Sequence, residues 1–160
     1  WAGVFDWLDG MVAKRMKDRD DKHRAVGVQL DSLIDIVSFG VFPAVFLLSF
    51  GEFKPAFIPG AFLIVGGAAL RLGYFNVFGM IDKHTYRGLA LDNNVLLLAL
   101  IFLLERLIPR GVYAAVLYAV LMALLALNLA PIRTYKFGGK WFYALLGYVV
   151  VMTACYVFLL

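Results

Sequence analysis

The chain has one cysteine, Cys155, and two histidines, His23 and His84. A single thiol excludes an internal disulfide. Cys155 lies in an apolar run, where a thiol acts as a small hydrophobic filler. Neither histidine has a cysteine or a second histidine at ligand spacing, so a zinc site is not expected. Charge is scarce too. Only 16% of the 160 residues are Asp, Glu, Lys or Arg, against about 25% in an ordinary soluble domain. No stretch has the composition of a soluble domain, a flexible linker or a low-complexity tract, and no internal repeat is visible.

What is present is hydrocarbon. The sequence is 63% hydrophobic, with a mean hydropathy of +0.85. A membrane-crossing helix needs roughly 20 apolar residues, so the chain has room for about five full spans and a partial one. Trp1 to about Arg15 reads as the end of a membrane helix that continues into water. Met16 to Arg24 reads as a charged loop. Helices are then expected over about Ala25–Phe50, with a kink at Pro43, and over Ala56–Ile81, Leu89–Leu107, Gly111–Ala130 and Trp141–Leu160. Asp82–Arg87 and Pro131–Lys140 read as polar loops. Gly66, Gly67, Ala68 and Ala69 offer a surface for close helix packing in lipid. The chain opens at Trp1, inside an apolar stretch, and is expected to lack an N-terminal segment. The expected fold is an all-α polytopic membrane bundle, with residues 1–160 forming one integral-membrane catalytic domain.

The cations are placed unevenly. Eleven Lys and Arg lie within 14–24, 83–87 and 133–140, whereas Lys54, Arg106 and Arg110 fall on the opposite loops. The side richer in cations is expected to face the cytoplasm. Arg71 alone sits within a span. The net charge is +4, but no basic stripe with interleaved aromatics is present, and a nucleic-acid partner is not expected.

The carboxylates carry the chemistry. Asp6 and Asp9 are three residues apart, and Asp31 and Asp35 are four apart. On a helix both spacings put the pair on one face. Four acids converging at one point repel unless cations hold them together, so the pattern points to a metal site of hard oxygen ligands. Ionisable groups in apolar helices are functional by default. Ion transporters also carry such acids, usually near the midplane with an inverted repeat. Here the acids lie at the cation-rich end, and no repeat is present.

Asp6-x2-Asp9-Gly10-x2-Ala13, followed by Gly27-x3-Asp31-x3-Asp35, resembles the signature of the CDP-alcohol phosphatidyltransferases. Leu30–Ala44 (LDSLIDIVSFGVFPA), Arg71–Val77 (RLGYFNV) and Tyr86-Arg87-Gly88-Leu89 are similar to the phosphatidylserine synthase branch of that family. The family usually has Arg after the motif alanine, where this chain has Lys14. It also has a shorter spacing before Gly27, and prolines where this chain has Ala90-Leu91-Asp92-Asn93-Asn94. The family core resembles six helices. With its first absent here, the apolar segments imply an extra C-terminal helix.

The resemblance implies transfer of a phosphatidyl group from CDP-diacylglycerol to an alcohol, with release of CMP. It implies Asp6, Asp9 and Asp31 as ligands of Mg²⁺ or Mn²⁺, two ions in all. Asp35 would complete the cluster and act as general base. Asp6, Gly10, Ala13, Lys14, Gly27 and Asp31 would line the CDP site. Ile36 offers no cation for a phosphorylated acceptor, so L-serine is the expected acceptor. Its carboxylate would meet Arg71, and its ammonium Asp92 or Asn93. For Arg71 a structural ion pair is the rival reading, whereas for residues 92–94 helix N-capping comes ahead of an acceptor site. A sister enzyme using inositol phosphate, glycerol phosphate or another small alcohol is the runner-up function. The resemblance also implies a homodimer among membrane lipids.

Overall fold

The computed structural model describes residues 20–79, 82, 85–135 and 141–159. The chain divides into two compact units, Trp1–Asp35 with Phe137–Leu160, and Ile36–Lys136.

In the first unit the described elements are helix α1, Asp21–Asp35, and the last helix of the chain, α6, Trp141–Leu159. The helix expected from Ala25 starts four residues earlier, at Asp21. Asp20 and Asp21 stand at its start, where acids complement the helix dipole. In α6 the Thr153 hydroxyl donates to the Val149 carbonyl at 2.7 Å, so this polar group needs no partner outside its own helix.

The second unit opens with a π-helical segment, Ile36–Val41, followed by α2, Phe42–Phe50. Pro43 lacks the N–H that would close on the Phe39 carbonyl, and its ring crowds that carbonyl. The expected kink thus takes the form of a widened helix directly ahead of the proline. A tight turn comes next. Glu52 and Phe53 both adopt left-handed φ, 54° and 53°. The Lys54 ammonium meets Glu52 at 2.9 Å and holds its carboxyl below the ordinary carboxylate range.

A short 3₁₀ turn, Pro55–Phe57, leads into α3, Ile58–Phe78. Helix α4 spans Leu91–Leu103 and closes in a 3₁₀ turn, Leu104–Arg106; α5 spans Arg110–Leu129. The expected helix over Leu89–Leu107 is therefore shorter at both ends. At its C-terminal end the charged pair Glu105-Arg106 stands in the tighter turn. The two expected polar loops contain strands. β1, Thr85–Arg87, pairs antiparallel with β2, Arg133–Tyr135, in the register Thr85↔Tyr135, Tyr86↔Thr134 and Arg87↔Arg133.

The core of this unit joins Ala44 and Leu47 of α2, Ala61 and Ile64 of α3, Leu98 and Ile101 of α4, and Tyr113, Leu117, Leu121 and Leu124 of α5. Lipid is as apolar as leucine, so close van der Waals fit, rather than escape from water, holds such helices together. The fit relies on small residues. Gly60 lies under the Tyr118 ring and Gly67 under Leu125, and a Cβ at either would force that side chain to move. Of the four small residues expected to pack, Gly67 and Ala68 are buried, whereas Gly66 and Ala69 face outward. Phe46, Phe50, Phe102 and Tyr113 form an aromatic cluster with centroid separations of 4.7–6.2 Å.

Three helical runs among the described residues are long and apolar enough to cross a membrane: Ala25–Phe50, Pro55–Phe78 and Arg110–Leu129. Tyr143–Phe158 is a shorter apolar stretch, and α4, at 13 residues, falls short of a span by itself. The expectation of five full spans and a partial one is thus met by three among the described residues. The fold is that of an all-α membrane protein, with one three-residue β ribbon.

Candidate active site

Helix α1 carries the second half of the acidic signature. Gly27, Asp31 and Asp35 recur every four residues, so they share one face of the helix. Gly27 and Asp35 are half-buried, and Asp31 is exposed. The glycine places no side chain one turn before the first carboxylate. Ser32, just off this face, turns its hydroxyl back to the Val28 carbonyl at 3.0 Å. Asp31 and Asp35 therefore present two hard oxygen donors one turn apart, a donor set suited to Mg²⁺ or Mn²⁺. Asp6, Asp9, Gly10, Ala13 and Lys14 lie outside the described residues. Among the described residues no group of three or more His, Cys, Asp or Glu side chains converges.

The residues expected to hold the acceptor lie in the second unit. Arg71, on α3, is 6% exposed. Its Nε donates to the Leu89 carbonyl at 3.3 Å, and its guanidinium stands 5.7 Å from the centroid of the Phe75 ring. Arg71 therefore pins the loop that leads into α4. This loop is tied down elsewhere as well. The Gly88 N–H donates to the Ile132 carbonyl at 2.7 Å, and the Leu89 N–H to the Leu127 carbonyl at 3.1 Å. Gly88 has φ +78°, and a Cβ there would strike the Asn128 carbonyl, so this position requires glycine.

Capping does not account for Asn94, whose buried Oδ1 accepts no hydrogen bond. The cap of α4 is Ala90, with no side-chain cap bond, and Asp92, Asn93 and Asn94 fall inside the first turns. Asn93 is half-buried, and Asn94 is buried at 6% exposure. The Asp92 side chain lies outside those described.

Two features escaped the sequence. Asn128 is 4% exposed near the end of α5. Its signal was a lone carboxamide in an otherwise apolar helix, a residue type that glues membrane helices. Arg87, in β1, donates from Nη1 to the Tyr74 hydroxyl at 2.6 Å. Nothing local in the sequence marks that pair, because its members are 13 residues apart.

No family model matches the chain. It is 38% identical over 95 residues to a CDP-diacylglycerol–serine O-phosphatidyltransferase of Methanocaldococcus jannaschii, covering 59% of this chain and 43% of that protein. The chain resembles the phosphatidylserine synthase branch of the CDP-alcohol phosphatidyltransferases. It is 44% identical over 77 residues to the archaetidylserine synthase of Methanothermobacter thermautotrophicus, covering 48% of this chain and 32% of that one. The yeast (Saccharomyces cerevisiae) CDP-diacylglycerol–serine O-phosphatidyltransferase is 44% identical over 75 residues, covering 46% of this chain and 25% of the yeast protein. The chain thus spans less than half the length of these relatives.

Proposed function

We propose that the chain transfers a phosphatidyl group from CDP-diacylglycerol to the hydroxyl of L-serine, releasing CMP. The observation that carries this reading is the face of α1 bearing Gly27, Asp31 and Asp35. Likeness to two relatives named CDP-diacylglycerol–serine O-phosphatidyltransferase and to an archaetidylserine synthase supports it. The serine hydroxyl oxygen attacks the phosphorus that bears the diacylglycerol. A new O–P bond forms, the phosphoanhydride bond breaks, and CMP leaves with the electron pair. Asp35 takes the hydroxyl proton as general base. Gly27 lets the nucleotide lie close to the helix, and Asp31 completes the ligand set with Asp6 and Asp9. Mg²⁺ or Mn²⁺, when bound by these carboxylates, supplies shielding of the pyrophosphate charge. The same resemblance assigns Gly10, Ala13 and Lys14 to the nucleotide site and implies a homodimer. The excess of cations on loops 14–24, 83–87 and 133–140 turns the site to the cytoplasm.

For the acceptor, Arg71 receives the serine carboxylate, and Asp92 with Asn93 the ammonium. The runner-up is a sister enzyme using a phosphorylated alcohol. Ile36, directly after the base, favours serine because it offers no cation to a second phosphate. The test is direct. The chain in lipid is given CDP-diacylglycerol with L-serine, inositol phosphate or glycerol phosphate in turn, and the lipid product is identified. Phosphatidylserine is expected, with no product in excess EDTA. Turnover of a phosphorylated alcohol in place of serine would overturn the acceptor assignment. Cation flux without CMP release would overturn the enzyme assignment.

A further inference from the structure

A small cavity lies inside the second unit, where α3, α4 and α5 meet the π segment. Most of the side chains that line it are hydrocarbon, including those of Phe39, Ile64, Leu98 and Leu124. Two side chains break that pattern, Asn94 of α4 and Asn128 of α5, at 6% and 4% exposure. The Oδ1 atoms of both are buried and accept no hydrogen bond. Two buried carboxamide oxygens left bare among leucines would be a standing penalty, and a bundle in lipid has no bulk water to relieve it.

We propose that this cavity is a binding site for one water molecule, which donates one hydrogen to each Asn oxygen. The chemistry of the walls selects the ligand. Both orphaned atoms are acceptors, so an occupant that serves the two together must donate twice. A metal cation would need several more oxygen ligands, and the other lining side chains are hydrocarbon. Size decides the rest. The cavity holds about 20 Å³, and a single water needs at least about 10–15 Å³ by the same measure. An amino-acid ammonium, with its attached carbons, does not fit.

The water has a place in the architecture. Asn94 stands in the opening turns of α4 and Asn128 in the last turn of α5. The backbone bonds from Gly88 and Leu89 to Ile132 and Leu127 tie the same two helix ends from the loop side. The water closes that junction from within. This inference stands on the cavity alone and does not depend on the reaction proposed above.

The experiment uses the full chain in detergent micelles or nanodiscs, with asparagine labelled by ¹⁵N. Magnetisation transfer between water and the side-chain amides is measured with no substitution made. Assignments come from Asn94→Leu and Asn128→Leu. Contacts to a long-lived water are expected at both carboxamides. Each single variant is expected to lower the melting temperature. The double variant should fall by less than the sum of the two, because it removes both oxygens along with the water. Absence of water contacts at either amide overturns the proposal, including the case of a direct amide–amide bond. Single variants that raise the melting temperature additively also overturn it, since they mark a dry cavity. If either variant fails to fold, the amides are assigned through the backbone resonances instead, and the magnetisation measurement on the parent chain decides.

Discussion

Asp31 and Asp35 are one helical turn apart, yet the proposed reaction gives them different work. Asp35→Asn keeps the size and polarity of the side chain but cannot take a proton. General-base catalysis contributes about 10²–10⁴-fold, so turnover is expected to fall by that range while CDP-diacylglycerol binding persists. Asp31→Asn removes a charged ligand, and nucleotide binding should weaken instead. Binding and turnover measured in both variants separate the roles, and identical behaviour would refute them. Arg71 presents a different problem, because its Nε already holds the Leu89 carbonyl. Arg71→Ala is expected to raise the serine requirement by roughly tenfold or more, a loss of at least about 1.4 kcal/mol of acceptor binding. The CDP-diacylglycerol requirement should stay near its original value. Arg71→Lys should recover only part, since an ammonium is not a planar fork. A purely structural arginine predicts equal losses for both substrates and a lower melting temperature, so measuring both requirements decides.

Among the elements, the ribbon of β1 and β2 contains a built-in conflict. Arg87 and Arg133 are directly paired across the strands, and both are exposed. Directly opposed like charges weaken a strand pair, and opposite charges strengthen one by about 0.2–1 kcal/mol. Arg133→Glu should therefore raise the melting temperature, most clearly at low ionic strength, where screening is weakest. A drop at low salt would contradict that reading. The close approach of α3 to α5 gives a sharper contrast. A Cβ at Gly67 would run into Leu125, whereas at Gly66 it would meet nothing within 4 Å. Gly67→Ala should cost about 1–3 kcal/mol through overpacking. Gly66→Ala should be neutral or slightly stabilising, because alanine is the better helix former by about 0.8–1.0 kcal/mol. Thermal unfolding of the two variants side by side tests the pair, and equal effects would mean that these helices do not pack through Gly67.

Over the whole molecule, what the sequence disclosed was whatever is written locally. The apolar runs around Leu47, Ile64 and Leu117 announce helices; α3 and α5 lie within a few residues of the expected ranges, and the expected Ala25–Phe50 is met by α1, the π segment and α2 in succession. The spacing of Gly27, Asp31 and Asp35 puts them on one face as soon as the segment is helical. What stayed hidden depends on contacts distant in sequence. Thr85–Arg87 has the polar composition of a loop, and only its pairing with Arg133–Tyr135 makes it a strand. Asn94 comes after Asp92 and Asn93 at a helix start, so it reads as a cap. Its burial emerges only when α5 brings Asn128 to the same cavity. The π segment was half legible. Pro43 foretold a disturbance, but hydropathy cannot tell a bend from a widened turn.

Arg71 also bears on how the chain enters the membrane in the first place. Insertion proceeds segment by segment, before any bundle exists. An arginine near the middle of an inserting helix costs roughly 2.5–3.5 kcal/mol. In the finished fold its Nε meets the carbonyl of Leu89, a residue synthesised 18 positions later. The helix Ile58–Phe78 must therefore wait, during synthesis, for a partner still inside the ribosome. Arg71→Leu is expected to raise the inserted fraction of a nascent chain halted before Leu89, read by glycosylation mapping. In a chain extended through Leu129 the same substitution should change insertion little. An equal effect at both lengths would show that this helix enters on its own hydrophobicity, without help from the helices synthesised after it.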